Sequence, residues 1–307
     1  MNFLVIVICL AINYLWLKDF GRFDDTWFFR FRCKVEEFCS ETAAKVRMAW
    51  SIGILAIYAI PMLCLAVLLL ITGDNFYGLP TMIVHILVLL IAFDRNQPGK
   101  LVSEFLERWQ AGDMEACAAY LNQELAKGGS LDVSDQEALA AYFNRQLTYR
   151  CFEKMFVMFF WYMLAGPMGV LFCYVSYQLR DSHKEDQLQE QVALVALVIH
   201  VLEWIPIRLL AITFSLAGNF VHCFENTKRI FWDISKDTDN AELLHGLTAC
   251  ALTGMVKFDA GEDGGEQQSE EFGRVREVAE IEALLGLLER SQAIWLSVLA
   301  LITIFGL

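Results

Sequence analysis

Long uncharged runs separated by short, strongly polar stretches organise this chain. Ser51–Thr72 carries no charged side chain along its length, matching the roughly 20 residues a helix needs to cross hydrocarbon. Pro61 inside it removes a backbone donor and predicts a kink. Met1–Leu17 is a second uncharged run, lacking a basic leader and a small-residue cleavage site, and reads as an uncleaved anchor. Leu79–Phe93 is shorter and follows the polar turn Gly73-Asp74-Asn75-Phe76-Tyr77-Gly78, so 51–72 and 79–93 predict a transmembrane hairpin. The last run is Ala293–Leu307, and Leu284, Leu285, Leu287 and Leu288 predict that its helix starts well before the membrane.

Residues 155–220 leave two topologies open. Met155–Leu179 is apolar but broken by Ala165-Gly166-Pro167-Met168-Gly169, which permits a kinked span or a re-entrant pair of half-helices of about ten residues each. Val192–Phe220 carries Glu203 and Arg208 on either side of Pro206. A charge at mid-membrane costs at least ~2.5–3.5 kcal/mol, which an interfacial amphipathic helix or one lining a polar cavity avoids. The cheaper charge placement favours four spans, with 155–179 re-entrant and 192–220 interfacial; the alternative is six. The expected fold is therefore all-α and polytopic. It divides into 1–93 (anchor, basic loop and hairpin), 94–154 (helical), 155–220, 221–290 (acidic, with a flexible linker at 261–273) and 291–307 (a C-terminal span).

Lysine and arginine set the orientation, because positively charged loops stay in the cytoplasm. Lys18, Arg22, Arg30, Arg32, Lys34, Lys45 and Arg47 lie between the first two runs, and none lies in the 73–78 turn. Residues 94–154 add Arg95, Lys100, Arg108, Lys127, Arg145, Arg150 and Lys154. The first terminus is thus expected outside, and the polar segments inside, a bacterial cytoplasmic (inner) membrane.

The polar segments also read as helices. Asp113 predicts a cap on Met114–Ala126, with Ala116, Cys117, Tyr120 and Leu121 as the apolar stripe. Ser134 predicts a cap on a helix from Asp135 to about Glu153, with Glu137 at capping-box distance. No period-2 alternation predicts a strand. The composition supports this picture: 56% of the 307 residues are hydrophobic, above the usual globular range. A net charge of −13 argues against nucleic acid as a partner. Nine scattered cysteines with no Cys-x-x-Cys pair suit a reducing compartment. His222-Cys223 has no matching second pair, so neither a metal nor a cofactor is expected.

Signatures of nucleotide binding, of a nucleophile elbow and of a His-Glu-x-x-His helix are missing from the sequence, and no catalytic residue is assigned. Polar residues gather instead around the Gly-Pro break. Asn144, Arg145, Thr148, Tyr149 and Glu153 precede it at helical spacing, Arg180-Asp181-Ser182-His183 follows it, and His200, Glu203 and Arg208 come from the next helix. If 155–179 is re-entrant, Arg145, Tyr149, Asp181, Glu203 and Arg208 are candidates for a ligand or partner site at the cytoplasmic interface. The structural reading is that Arg150, Lys154 and Arg180 anchor helix ends to headgroups while Glu203 pairs with Arg208 or Arg145. Trp27, Phe28, Phe29 and Phe31, like Phe156, Phe159, Phe160, Trp161 and Tyr162, fit an interfacial belt or helix packing.

Val201-Leu202-Glu203-Trp204-Ile205-Pro206-Ile207-Arg208-Leu209-Leu210, downstream of Tyr174-x-x-Tyr177, resembles the AmpE family of bacterial inner-membrane proteins. That family has an Asp/Glu-Trp-hydrophobic-Pro-x-Arg-Leu motif in this place, and the order of anchor, basic loop, hairpin and C-terminal span is similar. The resemblance implies a regulatory protein linked to β-lactamase induction, and so to antibiotic resistance, associated with the amidase AmpD of muropeptide recycling. AmpE proteins are in turn similar to the cobinamide-phosphate synthases, membrane amide-forming enzymes that share the Gly-Pro break and the Pro-x-Arg pattern. Their acidic Glu-Asn-Thr-x-x-Asp-Gly stretch is replaced here by Leu147-Thr148-Tyr149-Arg150-Cys151-Phe152-Glu153, and their Asp-Asp pair falls near Ile199 and His200. Metal-assisted phosphoryl chemistry needs such carboxylates. The expected function is a non-catalytic signalling modulator. A ligase or transferase of altered chemistry is the alternative, and a transporter is disfavoured for want of a second interrupted helix.

Overall fold

A computed structural model describes residues 2–15, 26–43, 49–73, 78–92, 98–124, 136–182, 189–218, 223, 240–253 and 266–305. Among them the regular structure is helical and no strand occurs. The helices are α1 (Asn2–Leu15), α2 (Thr26–Ala43), α3 (Ala49–Thr72), α4 (Leu79–Ala92), α5 (Pro98–Gln110), α6 (Met114–Glu124) and α7 (Gln136–Cys151). A π-helical turn, Phe152–Val157, joins α7 to α8 (Met158–Asp181); then come α9 (Gln189–Ala217), α10 (Asn240–Leu252) and α11 (Glu266–Ile304).

Four helical stretches are long and apolar enough to cross a membrane: Ile52–Thr72, Gln136–Asp181, Gln189–Ala217 and Val275–Ile304. These are not the four expected. The first and last agree, but α1 and α4 are shorter apolar helices of 14 residues each. Their described residues cover about 21 Å of a roughly 30 Å hydrocarbon layer, whereas α9, at 29 residues, is long enough to span.

The chain forms two compact units, each built from separate stretches: Met1–Arg95 with Val157–Trp204, and Asn96–Phe156 with Ile205–Leu307. In the first, α8 packs on α4, α3 and α1, while α2 packs on α3. The second half of α8 is apolar or buried all round, with every residue from 173 to 179 buried, as a helix enclosed by neighbours must be. The lipid-type surface is carried instead by α3 and α4, where Leu55, Leu63, Leu70, Ile83 and Leu87 are exposed.

In the second unit α7 packs on α10 and α11, and α5 packs on α6 and α11. Its centre is aromatic: the rings of Phe105 and Phe143 stack with centroids 3.9 Å apart, and Trp109 stacks on Phe105. Asp113 caps α6 as expected, its Oδ1 accepting from the Ala116 N–H at 2.9 Å. The buried stripe, however, is Cys117, Ala118, Tyr120 and Leu121, and Ala116 is half-exposed. Ser134 and Asp135 lie outside the described residues. So do residues 261–265 of the expected linker, but α11 already begins at Glu266. Gln267, Gln268, Glu270 and Glu271 are good helix formers, so a polar composition there does not keep the chain from being helical.

Candidate functional site

The Gly-Pro break is where α8 doubles back. Gly166 has φ +63° and ψ −151°, a region open essentially to glycine alone. A Cβ placed on Gly169 would lie 2.6 Å from the Trp161 carbonyl oxygen and 2.9 Å from Ala165 Cβ. Eight residues along a straight helix are separated by about 12 Å, so the chain has reversed direction between them. Two further bonds agree. Trp161 Nε1 donates to the Leu202 carbonyl at 3.0 Å, and Tyr177 Oη donates to Glu203 Oε1 at 3.0 Å. Trp161 and Tyr177 would stand about 24 Å apart on a straight helix, yet they bond to consecutive residues of α9. Both halves of α8 and the first part of α9 belong to the first unit.

Glu203 is fully buried, and its position on α9 explains why. Val195, Ile199, Leu202 and Glu203 form the inward stripe of the helix, while Leu194, Leu197, Val201 and Trp204 are exposed. Its carboxyl therefore faces protein at a level where the outer face is apolar, as intramembrane carboxylates do.

From Glu203 a polar chain runs toward the end of α8. The Arg180 guanidinium lies over the Tyr177 ring, 5.1 Å from its centroid, at cation–π range. Arg180 Nη2 and Nε both reach Asp181 Oδ1, at 3.0 and 3.1 Å. Two of the predicted residues, Asp181 and Glu203, are thus linked through Arg180 and Tyr177. Ser176, one turn before Arg180, accepts a 3.0 Å bond from Tyr58 of α3. Arg32 of α2 closes the end: its Nη1 donates to the Ser182 carbonyl and Oγ, both at 2.6 Å, and its Nε to Glu36 at 2.7 Å. A cation there complements the negative end of the helix dipole.

Arg145, Tyr149 and Arg208 belong to the second unit. Arg145 and Tyr149 are half-buried on one face of α7, Tyr149 tilted against Phe152, and Arg208 is buried on the later part of α9. Arg145 lies near His245 of α10. Burial holds that imidazole below its usual pKa, the Arg145 charge lowers it further, and Glu242 partly offsets this. Nearby, Gly218 sits so close to α10 that a Cβ would meet the Ala251 carbonyl oxygen at 2.7 Å. Burial, with Cys250 beside it, pushes the Cys223 thiol up to about 12. His222, Cys223's expected neighbour in a metal pair, lies outside the described residues. Among those described, no three His, Cys, Asp or Glu side chains are placed to hold a metal ion.

A family model described as "Regulatory signalling modulator protein AmpE" matches residues 22–240. The chain belongs to the AmpE family. The matched stretch of this AmpE-family chain contains the Glu203-to-Arg208 motif, the Gly166 turn and all five predicted site residues. The curated proteins and the solved structures yield no match.

Sequence reasoning missed Tyr177, Arg180 as a linker, Arg32 and His245 as site members. Tyr177 was visible in the Tyr174-x-x-Tyr177 motif but had no assigned partner. Arg32 was counted only among the loop cations, and its burial depends on α2 folding against the end of α8.

Proposed function

We propose that this AmpE-family regulator is a non-catalytic inner-membrane modulator linked to β-lactamase induction during muropeptide recycling. The observation that best supports it is the carboxyl of Glu203, held by Tyr177 at the depth of an apolar outer surface. Such a group is expensive to keep in a membrane, and its connection to Asp181 through Arg180 leads from that depth to a helix end. In the first unit, a ligand or partner meeting Asp181 and Arg180 would be sensed at Glu203. In the second unit, Arg145, Tyr149 and Arg208 are the candidates for partner contact, the amidase AmpD being the partner the family resemblance implies.

The doubled-back α8 supports the re-entrant topology, because a reversal at Gly166 returns Asp181 toward the side from which Val157 entered. Arg150 and Lys154 before the reversal and Arg180 after it suit a cytoplasmic side by the positive-inside rule. The first terminus would then lie outside.

The function is tested in a bacterium deleted for this gene and complemented with wild type, Glu203→Ala or Arg208→Ala. β-Lactamase activity is measured with and without inducer, and protein level by immunoblot. Altered induction at normal protein level supports the modulator reading. Unchanged induction in both variants, with wild type and deletion differing, removes the site; no difference between wild type and deletion removes the link to β-lactamase.

A further inference from the structure

We propose that α2 carries a binding site for an anionic phospholipid, its headgroup phosphate held between Arg30 and Lys34. The reasoning starts from which side of α2 is left uncovered. Phe28, Arg32 and Val35 are buried, whereas Trp27, Phe29, Arg30, Cys33, Lys34, Glu37 and Phe38 are exposed. The open side is therefore aromatic, with two cations against one carboxylate. Arg30 and Lys34 stand one turn apart at i,i+4, where like charges repel. Glu36 is engaged by Arg32, and Glu37, three positions on from Lys34, offsets one of the two positive charges.

The level of α2 on the unit identifies the occupant as lipid. Trp27 stacks on Tyr174 with centroids 6.2 Å apart and planes 8° apart, and Phe28 meets the same ring edge-on. Arg32 bonds Ser182 at the end of α8. Eight residues of α8 between those contacts span about 12 Å, less than half of the roughly 30 Å hydrocarbon layer. α2 thus runs from the helix end, where Arg32 sits, toward a level where Tyr58 of α3 bonds Ser176 and the neighbouring Leu55 is exposed. Trp27 and Phe29 lie at the deeper end, and Arg30 and Lys34 about one to two turns shallower. Aromatic rings at the acyl boundary with cations above them match a phospholipid's own order of chain and phosphate. The charge favours an anionic headgroup over a zwitterionic one.

The test uses the full-length protein in nanodiscs of phosphatidylcholine mixed equally with phosphatidylglycerol, counting co-retained lipids by native mass spectrometry. Wild type should retain phosphatidylglycerol in preference. Arg30→Gln and Lys34→Gln should each lower that preference about fivefold, and the double variant more, while Lys100→Gln in the second unit leaves it unchanged. A double variant with wild-type preference overturns the proposal, as does equal loss in Lys100→Gln. If the double variant does not fold, Cys33 kept as the single cysteine of an otherwise cysteine-free chain serves as reporter. A water-soluble maleimide should modify it more slowly in phosphatidylglycerol bilayers than in pure phosphatidylcholine, and equal rates overturn the proposal.

Discussion

Tyr177 and Glu203, 26 positions apart, are joined by a 3.0 Å hydrogen bond in which the phenol donates to a fully buried carboxyl. Removing one partner so that a buried acceptor is left unsatisfied costs about 1–3 kcal/mol. Tyr177→Phe keeps the ring beneath Arg180 and removes only that donor. It should lower the thermal midpoint in detergent by an amount that Glu203→Gln largely absorbs in a double-mutant cycle. Equal, additive losses would mean that the two groups are not energetically coupled.

The reversal at Gly166 makes two glycines costly to replace and leaves a third free. Gly166→Ala forces a Cβ into a conformation costing about 1–3 kcal/mol. Gly169→Ala drives a methyl into the Trp161 carbonyl oxygen, an overpacking of about 1–3 kcal/mol. Gly53 of α3 has nothing within 4 Å of its Cβ position, so Gly53→Ala should be neutral or stabilising by up to about 1 kcal/mol. Thermal unfolding of the three variants in one detergent gives the ranking. A harmless Gly169→Ala would contradict the close approach of the two halves.

Much of this was legible in the residues, and the remainder depended on contacts between distant segments. The all-helical membrane class followed from uncharged runs such as Ser51–Thr72. The break at Gly166-Pro167 followed from two residues that cannot continue a helix unaltered. The number of candidate spans, four, agrees with expectation, but their identity did not follow, because α9 tolerates Glu203 by turning it inward. Periodicity marks a carboxylate on a stripe but does not say which side chain from elsewhere meets it. Glu203 was therefore expected against Arg208 or Arg145, and its bond to Tyr177 emerged only once α8 reversed. Buried Arg32 shows the same limit, since loop cations look alike until one of them finds a helix end.

In the second unit, His245 makes stability depend on pH with a definite sign. Its folded pKa lies below the unfolded value of 6.5, first because of burial and second because of Arg145, with Glu242 opposing. The unfolded chain thus binds the proton more readily. Its contribution is present above pH 6.5 and is lost as pH falls through that value toward the folded pKa. The thermal midpoint of wild type should fall more steeply on acidification below pH 6.5 than that of His245→Gln. Parallel slopes would show that the imidazole is not held neutral.

Topology can be decided at Glu190, and the structure explains why that position is a better reporter than its neighbours. A cysteine at Ser182 would be buried and would remove the hydroxyl that Arg32 contacts, while Gln191 is half-buried; Glu190 is exposed in the first turn of α9. Glu190→Cys on a cysteine-free background is treated with an impermeant maleimide in intact spheroplasts, then again after the membrane is opened. A re-entrant α8 predicts labelling only after opening, because the reversal at Gly166 returns the chain to the cytoplasmic side before α9 begins. Labelling from outside would mean that the stretch ending at Asp181 crosses the bilayer. Asp181 and Arg180 would then face the outer compartment, and the proposed path from Asp181 to Glu203 could not report a cytoplasmic ligand.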